Sequence, residues 1–254
     1  MSQNDTLLYL INYLKNENSQ YAGIDIPEDE NERFRLYRSL VNIRPAAPAS
    51  EEYYRAEDEY LRAVTAGKGV TDIAELTPRE PHIYLWKGDI TTLKCGAIVN
   101  AANSGMTGCY SPCHSCIDNC IHTFAGIRLR LECDRIMQEQ GHPEPTGMAK
   151  ITPAYALPSG YVIHTVGPIV QGRLTDRHCA LLKSSYNSCL DIAKLNNISS
   201  IAFCCISTGV FGFPQREAAE IAVSAVREYI ADTPLDVIFN VFSQTDYAIY
   251  ASLT

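Results

Sequence analysis

From His82 onward the chain alternates short apolar runs with longer stretches of helical periodicity, and no other feature limits its fold so strongly. HIYLWKGD (82–89), GAIVNAAN (96–103), IAFCCIS (201–207) and DVIFNVFS (236–243) read as strands. MAKITPAYALP (148–158) and YVIHTVGPI (161–169) read as a strand pair joined by a Pro-Ser-Gly turn. Helical patterns fill the gaps: Ile117–Gln140, interrupted near Gly126, then Asp176–Leu195, then Pro214–Ala231 with proline in its first turn. A short helix follows the last strand. Strands alternating with helices predict an α/β fold, a mixed and largely parallel sheet covered on both faces. Ligands of such folds bind where loops leave the C-terminal ends of strands.

Residues 1–80 have a different texture, helical and polar. Leu7, Leu8, Leu10, Ile11 and Leu14 fall at helical spacing, and ERFRLYRSLVNI (32–43) repeats the pattern. PEDE (27–30) places proline and acids at a helix start, and Ser50 is the expected cap of a third helix after Pro45–Pro48. No catalytic constellation occurs here. The stretch reads as a helical extension packed on a main unit, 81–254; a partner-docking surface is the alternative.

A net charge of −8 and a pI near 5.3 argue against nonspecific grip on nucleic acid, whose phosphates demand a basic face. No apolar run approaches the roughly 20 residues of a membrane span, and the apolar patch near the N terminus has Asp5 in front and no cleavage site. The ten cysteines lack the spacing of a disulfide framework. The expectation is a soluble cytoplasmic protein with reduced thiols and neither nucleic-acid nor membrane partners.

Two strand ends carry chemistry. After AIVNAAN, Cys109, Cys113, His114, Cys116, Cys120 and His122 lie within fourteen residues. Cys109, His114 and Cys116 would supply three soft ligands and leave a fourth position open, as catalytic zinc sites do; buried or redox-active thiols are the competing reading. Asp118 follows at a helix start, where it can cap the helix or orient a water. At the second strand end, ISTGVFGF (206–213) can turn tightly and offer backbone N–H groups to an anion, or serve as an ordinary strand–helix turn. Asp89 can accept from the exocyclic amine of a base or cap its own turn. His164, in an apolar strand, reads as a core histidine, and Cys204 and Cys205 as core fillers in mid-strand.

GDIT (88–91), AIVNAAN (97–103), IDNCIHTFAG (117–126), YVIHTVGP (161–168) and ISTGVFGFP (206–214) together resemble the macrodomain family in order and spacing, over about 81–254. The insertion GCYSPCHSCIDNCIH (108–122) further resembles the zinc-containing macrodomains of microbial protein-ADP-ribose hydrolases, which also carry an N-terminal helical extension. The resemblance implies a three-layer α/β/α fold with a mixed central sheet. It implies adenine binding by Asp89 with Ile90 beside it, and a diphosphate wrapped by Ser207, Thr208, Gly209, Val210, Phe211 and Gly212. Asn103 would lie by the distal ribose, with Asn103 and Asp118 catalytic, and Phe242 would line the adenine pocket. Cys109, His114 and Cys116 would hold one Zn2+ per chain. The chain departs from ordinary macrodomains at the cysteine-rich loop, at Asn119, where glycine is usual, and at Phe213, where many relatives have tyrosine.

The activity so implied is zinc-dependent hydrolysis of mono-ADP-ribose from modified proteins, at acidic side chains. The alternatives are an ADP-ribose reader with structural zinc and an O-acetyl-ADP-ribose deacetylase. The partner implied is an ADP-ribosylated protein, with a lipoylated glycine-cleavage-H-like carrier, modified by a sirtuin-type transferase, as the specific case.

Overall fold

A computed structural model describes residues 2–254; Met1, the first residue of the expected extension, lies outside the described residues. Three helices open the chain: α1 (Gln3–Asn16), α2 (Glu30–Ile43) and α3 (Glu51–Lys68). Each begins at a side chain that satisfies a free helical N–H: Ser2 accepts from Asp5 N, Asp29 from Glu32 N and Ser50 from Tyr53 N. Their apolar faces bury Leu7, Leu10, Ile11, Tyr37, Leu40, Tyr53 and Leu61. Two-residue strands β1 (Thr71–Asp72) and β3 (Leu93–Lys94) pair in parallel and stitch the end of this helical segment to the following unit. Elements this short leave no periodicity to read.

The main sheet contains β2 (Ile83–Lys87), β4 (Ala97–Ala101), β5 (Ala149–Pro153), β6 (Tyr161–Thr165), β7 (Ser200–Phe203) and β8 (Asp236–Val241). Its order is β2-β8-β7-β4-β6-β5, parallel throughout except for the β5–β6 hairpin. β4, β7 and most of β8 are buried on both faces, which is why they read as unbroken apolar runs. The chain moves from β4 to β6 through α4 (Ile117–Ala125) and α5 (Ile127–Gln140). It returns through α6 (Asp176–Leu195) to β7, on the other side of β4, and continues through α7 (Gln215–Ile230) to β8 and α8 (Gln244–Ala251). Right-handed crossovers running in opposite directions place α4 and α5 on one face and α6 and α7 on the other. The result is the expected three-layer arrangement, with α2 and α3 packed against α4.

α4 and α5 are divided at Gly126, whose φ is +89°. A Cβ there would lie 2.5 Å from Glu57 Oε2, and that oxygen accepts from Ile127 N at the start of α5. Cys204 and Cys205, expected in mid-strand, lie just beyond the end of β7; Cys204 is buried and Cys205 half-buried. No helix among the described residues is long and apolar enough to cross a membrane.

Candidate functional site

β4 and β7 are neighbours whose onward connections depart in opposite directions, so the sheet has a switch point between their C-terminal ends. The cysteine-rich loop leaves from β4 and the ISTGVFG turn from β7. Topology therefore brings together two stretches about a hundred residues apart.

At the β4 end, Asp118 is buried on the first turn of α4 and does not cap it. The cap is Cys116, whose Sγ accepts from Asn119 N at 3.4 Å. The Asp118 carboxylate instead accepts from Asn100 Nδ2 at 2.7 Å and from Asn103 Nδ2 at 3.3 Å. Burial pushes its pKa up to about 6, against the opposing pull of the Asn100 hydrogen bond, the Arg130 charge and the Asn103 hydrogen bond. Asn103 is itself fixed, donating to Gly108 O at 3.1 Å and accepting from Gly105 N at 2.9 Å.

Asn100 shares its amide group between Asp118 and His164 Nδ1, 3.1 Å away. Because that amide is a donor, His164 Nδ1 accepts, and the proton resides on Nε2, 3.0 Å from Thr152 Oγ1. His164 is thus a core histidine with both nitrogens engaged, and burial pushes its pKa down to about 3. The ligand atoms of His122, Cys133 and His164 also lie within 4.8 Å of one another, but His164 has no lone pair left for a metal. His122 Nε2 lies 3.6 Å from Asp118 Oδ1, and burial holds its pKa well below the usual range, leaving the ring neutral.

The sulfurs of Cys109 and Cys116 and a ring nitrogen of His114 lie within 4.8 Å of one another, all half-buried. Cys109 Sγ is 3.7 Å from His114 Nδ1, close to the S–N edge of about 3.6 Å that tetrahedral zinc bond lengths require. Burial, reinforced by the Cys109 thiol, pushes Cys116 up to about 12. Two sulfurs and an imidazole nitrogen at this spacing are a donor set that fits a soft divalent metal. Cys113 and Cys120 do not join this group. Cys113 Sγ meets Ser39 Oγ at 3.2 Å, and Cys120 Sγ meets Arg38 Nη2 at 3.5 Å.

After β7, Ser207 adopts φ +66° and Gly212 φ +67°. Phe213 N donates back to Ser207 O at 3.0 Å and Gly212 N to Gly209 O at 3.0 Å, closing the turn. The N–H groups of Gly209, Val210 and Phe211 find no acceptor among the described residues, and α7 begins at Pro214 without a side-chain cap. Free N–H groups on a tight turn ahead of a helix N terminus are the geometry that suits an anion. Asp89 caps its own turn: Oδ1 accepts from Thr91 N at 3.0 Å and Thr91 Oγ1 at 2.6 Å. Ile90 beside it is buried, whereas Phe242, at the end of β8, is 82% exposed.

A Macro domain family model matches residues 99–222. A protein-ADP-ribose hydrolase of Treponema medium is 56% identical over 259 residues, covering 100% of this chain and 99% of that protein. A protein-ADP-ribose hydrolase of Staphylococcus aureus is 47% identical over 248 residues, 96% of this chain and 93% of that one. The chain belongs to the macrodomain family. Among solved structures, a Trypanosoma brucei macrodomain in complex with ADP-ribose superposes with a TM-score of 0.66 at 30% identity, covering 85% of this chain and 94% of that one.

In this macrodomain most of the residues singled out in the sequence fall into three places: Asn103 with Asp118, the three metal-type ligands on the loop between them, and the turn after β7. Asp89 and Phe242 stand at two other strand ends. Sequence reasoning passed over Asn100, Arg38, Lys68 and Arg130. Asn100 had a readable signal, an amide inside an otherwise apolar strand, which must find partners. The three cations lie far in sequence from what they touch. Arg130 donates to Thr107 O at 2.8 Å and to Val41 O and Asn42 O at 2.9 Å each, sewing the loop to the end of α2.

Proposed function

We propose that this macrodomain, formed by residues 81–254 with 1–80 as its helical extension, hydrolyses mono-ADP-ribose from modified proteins, with zinc at Cys109, His114 and Cys116. The observation that carries this reading is the Asp118 carboxylate. It is buried, held by two asparagine amides, and sits two residues beyond a three-ligand metal group at the switch point of the sheet. The hydrolase names of relatives 56% and 47% identical support it independently. A zinc ion bound there would supply Lewis-acid polarisation.

The chain's own residues do the rest. The cradle at 207–212 binds the diphosphate, and Asp89 with Ile90 and Phe242 takes the adenine. That remote binding energy is spent on fixing the distal ribose beside Asn103. Asp118 orients the attacking water and accepts its proton. The bond cleaved is the ester between ribose and an acidic side chain. Water oxygen bonds to the ester carbonyl or the anomeric carbon, the C–O bond breaks, and the proton taken up by Asp118 passes to the departing oxygen, releasing ADP-ribose and the free carboxyl. The lipoylated glycine-cleavage-H-like carrier, modified by a sirtuin-type transferase, is the substrate the family resemblance points to. All ten cysteines are unpaired, which fits a reducing cytoplasm.

The test is incubation with proteins mono-ADP-ribosylated on defined acidic residues, with and without chelation, and identification of the product. We expect free ADP-ribose, released by the zinc-loaded wild type and not by Cys116→Ala, which still binds ADP-ribose. Full activity in verified metal-free Cys116→Ala would overturn the role of zinc. Tight ADP-ribose binding without turnover would make the protein a reader, and turnover of O-acetyl-ADP-ribose alone a deacetylase.

A further inference from the structure

Helix α2 belongs to the extension, yet one of its side chains reaches the middle of the cysteine-rich loop. Arg38 Nη2 donates to His114 O at 2.7 Å and to Asn119 Oδ1 at 2.8 Å, with Nε 3.3 Å from the same oxygen. Asn119 has no exposed surface. Its Nδ2 donates to Ser111 O at 2.9 Å and Cys109 O at 3.4 Å, and its backbone N lies 3.4 Å from Cys116 Sγ. Arg38 and Asn119 therefore touch all three proposed ligand residues: Cys109 and His114 through their carbonyls, Cys116 through its sulfur.

Neighbouring residues on α2 fix the rest of the loop. Asn42, one turn beyond Arg38, accepts from Cys113 N at 2.9 Å and donates to Thr123 Oγ1 at 3.0 Å, while Ser39 Oγ meets Cys113 Sγ. Cys113 is held at φ +53°, a left-handed conformation that a non-glycine residue adopts only under constraint. A loop with its ligands crowded between residues 109 and 116 has little internal means of holding its shape. Here the loop is held from α4 by Asn119 and from the extension by Arg38, Ser39 and Asn42.

We propose that Arg38 and Asn119 are positioning residues that hold the cysteine-rich loop in its metal-binding shape, making the helical extension a determinant of metal affinity. This rests on the reading that Cys109, His114 and Cys116 bind zinc. Partners that orient metal ligands are typically worth about 10–100-fold in affinity. Lysine cannot replace Arg38 fully, because its single ammonium nitrogen can meet His114 O and Asn119 Oδ1 but lacks the second nitrogen, Nε, that Arg38 also directs at Asn119 Oδ1.

The experiment titrates zinc-loaded full-length protein with a chromophoric chelator and compares wild type, Arg38→Met and Arg38→Lys. Melting of the metal-free forms and ADP-ribose affinity are measured alongside. Zinc affinity should fall about 10–100-fold in Arg38→Met and by an intermediate factor in Arg38→Lys. ADP-ribose affinity should stay within about twofold, because Arg38 touches none of the residues assigned to adenine or diphosphate. If Arg38→Met fails to fold, Arg38→Lys decides the matter. Zinc affinity equal to wild type in a folded variant overturns the positioning role. So does a loss of zinc affinity matched by an equal loss of ADP-ribose affinity, which would mark general unfolding. A wild type that binds no zinc overturns the metal reading itself.

Discussion

Lys68 Nζ, on the last turn of α3, lies 3.0 Å from Asp89 Oδ2, so the helical extension meets the macrodomain's proposed adenine end through an ion pair. The same ammonium sits 3.5 Å above the Phe124 ring. Burial pushes Asp89 upward, but the Thr91 hydroxyl and Lys68 outweigh it and hold the carboxyl below its usual range. With Oδ1 engaged by Thr91, Oδ2 is the oxygen a base amine would use, and Lys68 competes for it.

Replacing Lys68 by methionine should therefore tighten ADP-ribose binding. An exposed pair of this kind is worth about 0.5 kcal/mol, which corresponds to roughly a twofold gain. The gain should shrink at high salt, where the ion pair is already screened. Calorimetric titration at two salt concentrations measures both effects. A loss of affinity would mean that Lys68 grips the ligand itself.

Asn100→Ala should lower kcat about tenfold with little change in KM, because the amide orients Asp118 and touches no proposed ligand-binding residue. Asn100→Asp should be worse. It puts a second carboxylate where the amide now lies 2.7 Å from Asp118 Oδ1, and the neighbouring His164 ring is neutral and offers no compensating charge. An uncompensated buried charge costs about 3–5 kcal/mol, so this variant should also melt at lower temperature. Melting and rates equal to wild type in both variants would remove Asn100 from the site.

Much of the fold was legible because buried parallel strands and amphipathic helices each leave a local period. The helix at Asp176–Leu195 and the cap at Ser50 came out as read. The site was legible only in part. Cys109, His114 and Cys116 are close in sequence and meet in space, whereas Arg38 acts 76 residues from His114 and has no local pattern to reveal it. Asp118 shows a further limit. A carboxylate at a helix start looks like a cap, and only the buried amides of Asn100 and Asn103 explain why it turns inward while Cys116 takes the cap.

Glu57 provides a pH test. It is buried on α3, accepting from Tyr37 Oη at 2.7 Å, Tyr53 Oη at 3.1 Å and Ile127 N at 2.9 Å. Burial raises its pKa despite these bonds. The folded value lies above an unfolded value of about 4.3, so the fold prefers the protonated acid. The stability that preference contributes is full below the unfolded value and lost as pH rises through the raised one. Glutamine can keep an oxygen on Ile127 N and turn its amide toward the tyrosine hydroxyls, without titrating. The melting temperature of wild type relative to Glu57→Gln should therefore rise as pH falls from neutral toward 5. A difference that moves the other way would mean that Glu57 is stabilised as the anion.

Ser207 pays for its place at the cradle. Its φ of +66° is left-handed, and its hydroxyl is buried with no hydrogen-bond partner among the described residues. A side chain in that conformation costs about 1–2 kcal/mol, and an unpaired buried hydroxyl about 1–3 kcal/mol. Glycine removes both costs and gives back about 0.5–1 kcal/mol in chain entropy. Ser207→Gly should thus stabilise the ligand-free protein by about 1 kcal/mol or more in urea unfolding. Gly167 faces the same hydroxyl so closely that a Cβ would lie 2.1 Å from Ser207 Oγ and 2.7 Å from Ile206 Cγ2. Gly167→Ala should therefore destabilise, and combining it with Ser207→Gly should recover only part of the loss, because the Ile206 contact remains. Destabilisation by Ser207→Gly alone would show that the serine is held by an interaction worth more than the strain it carries.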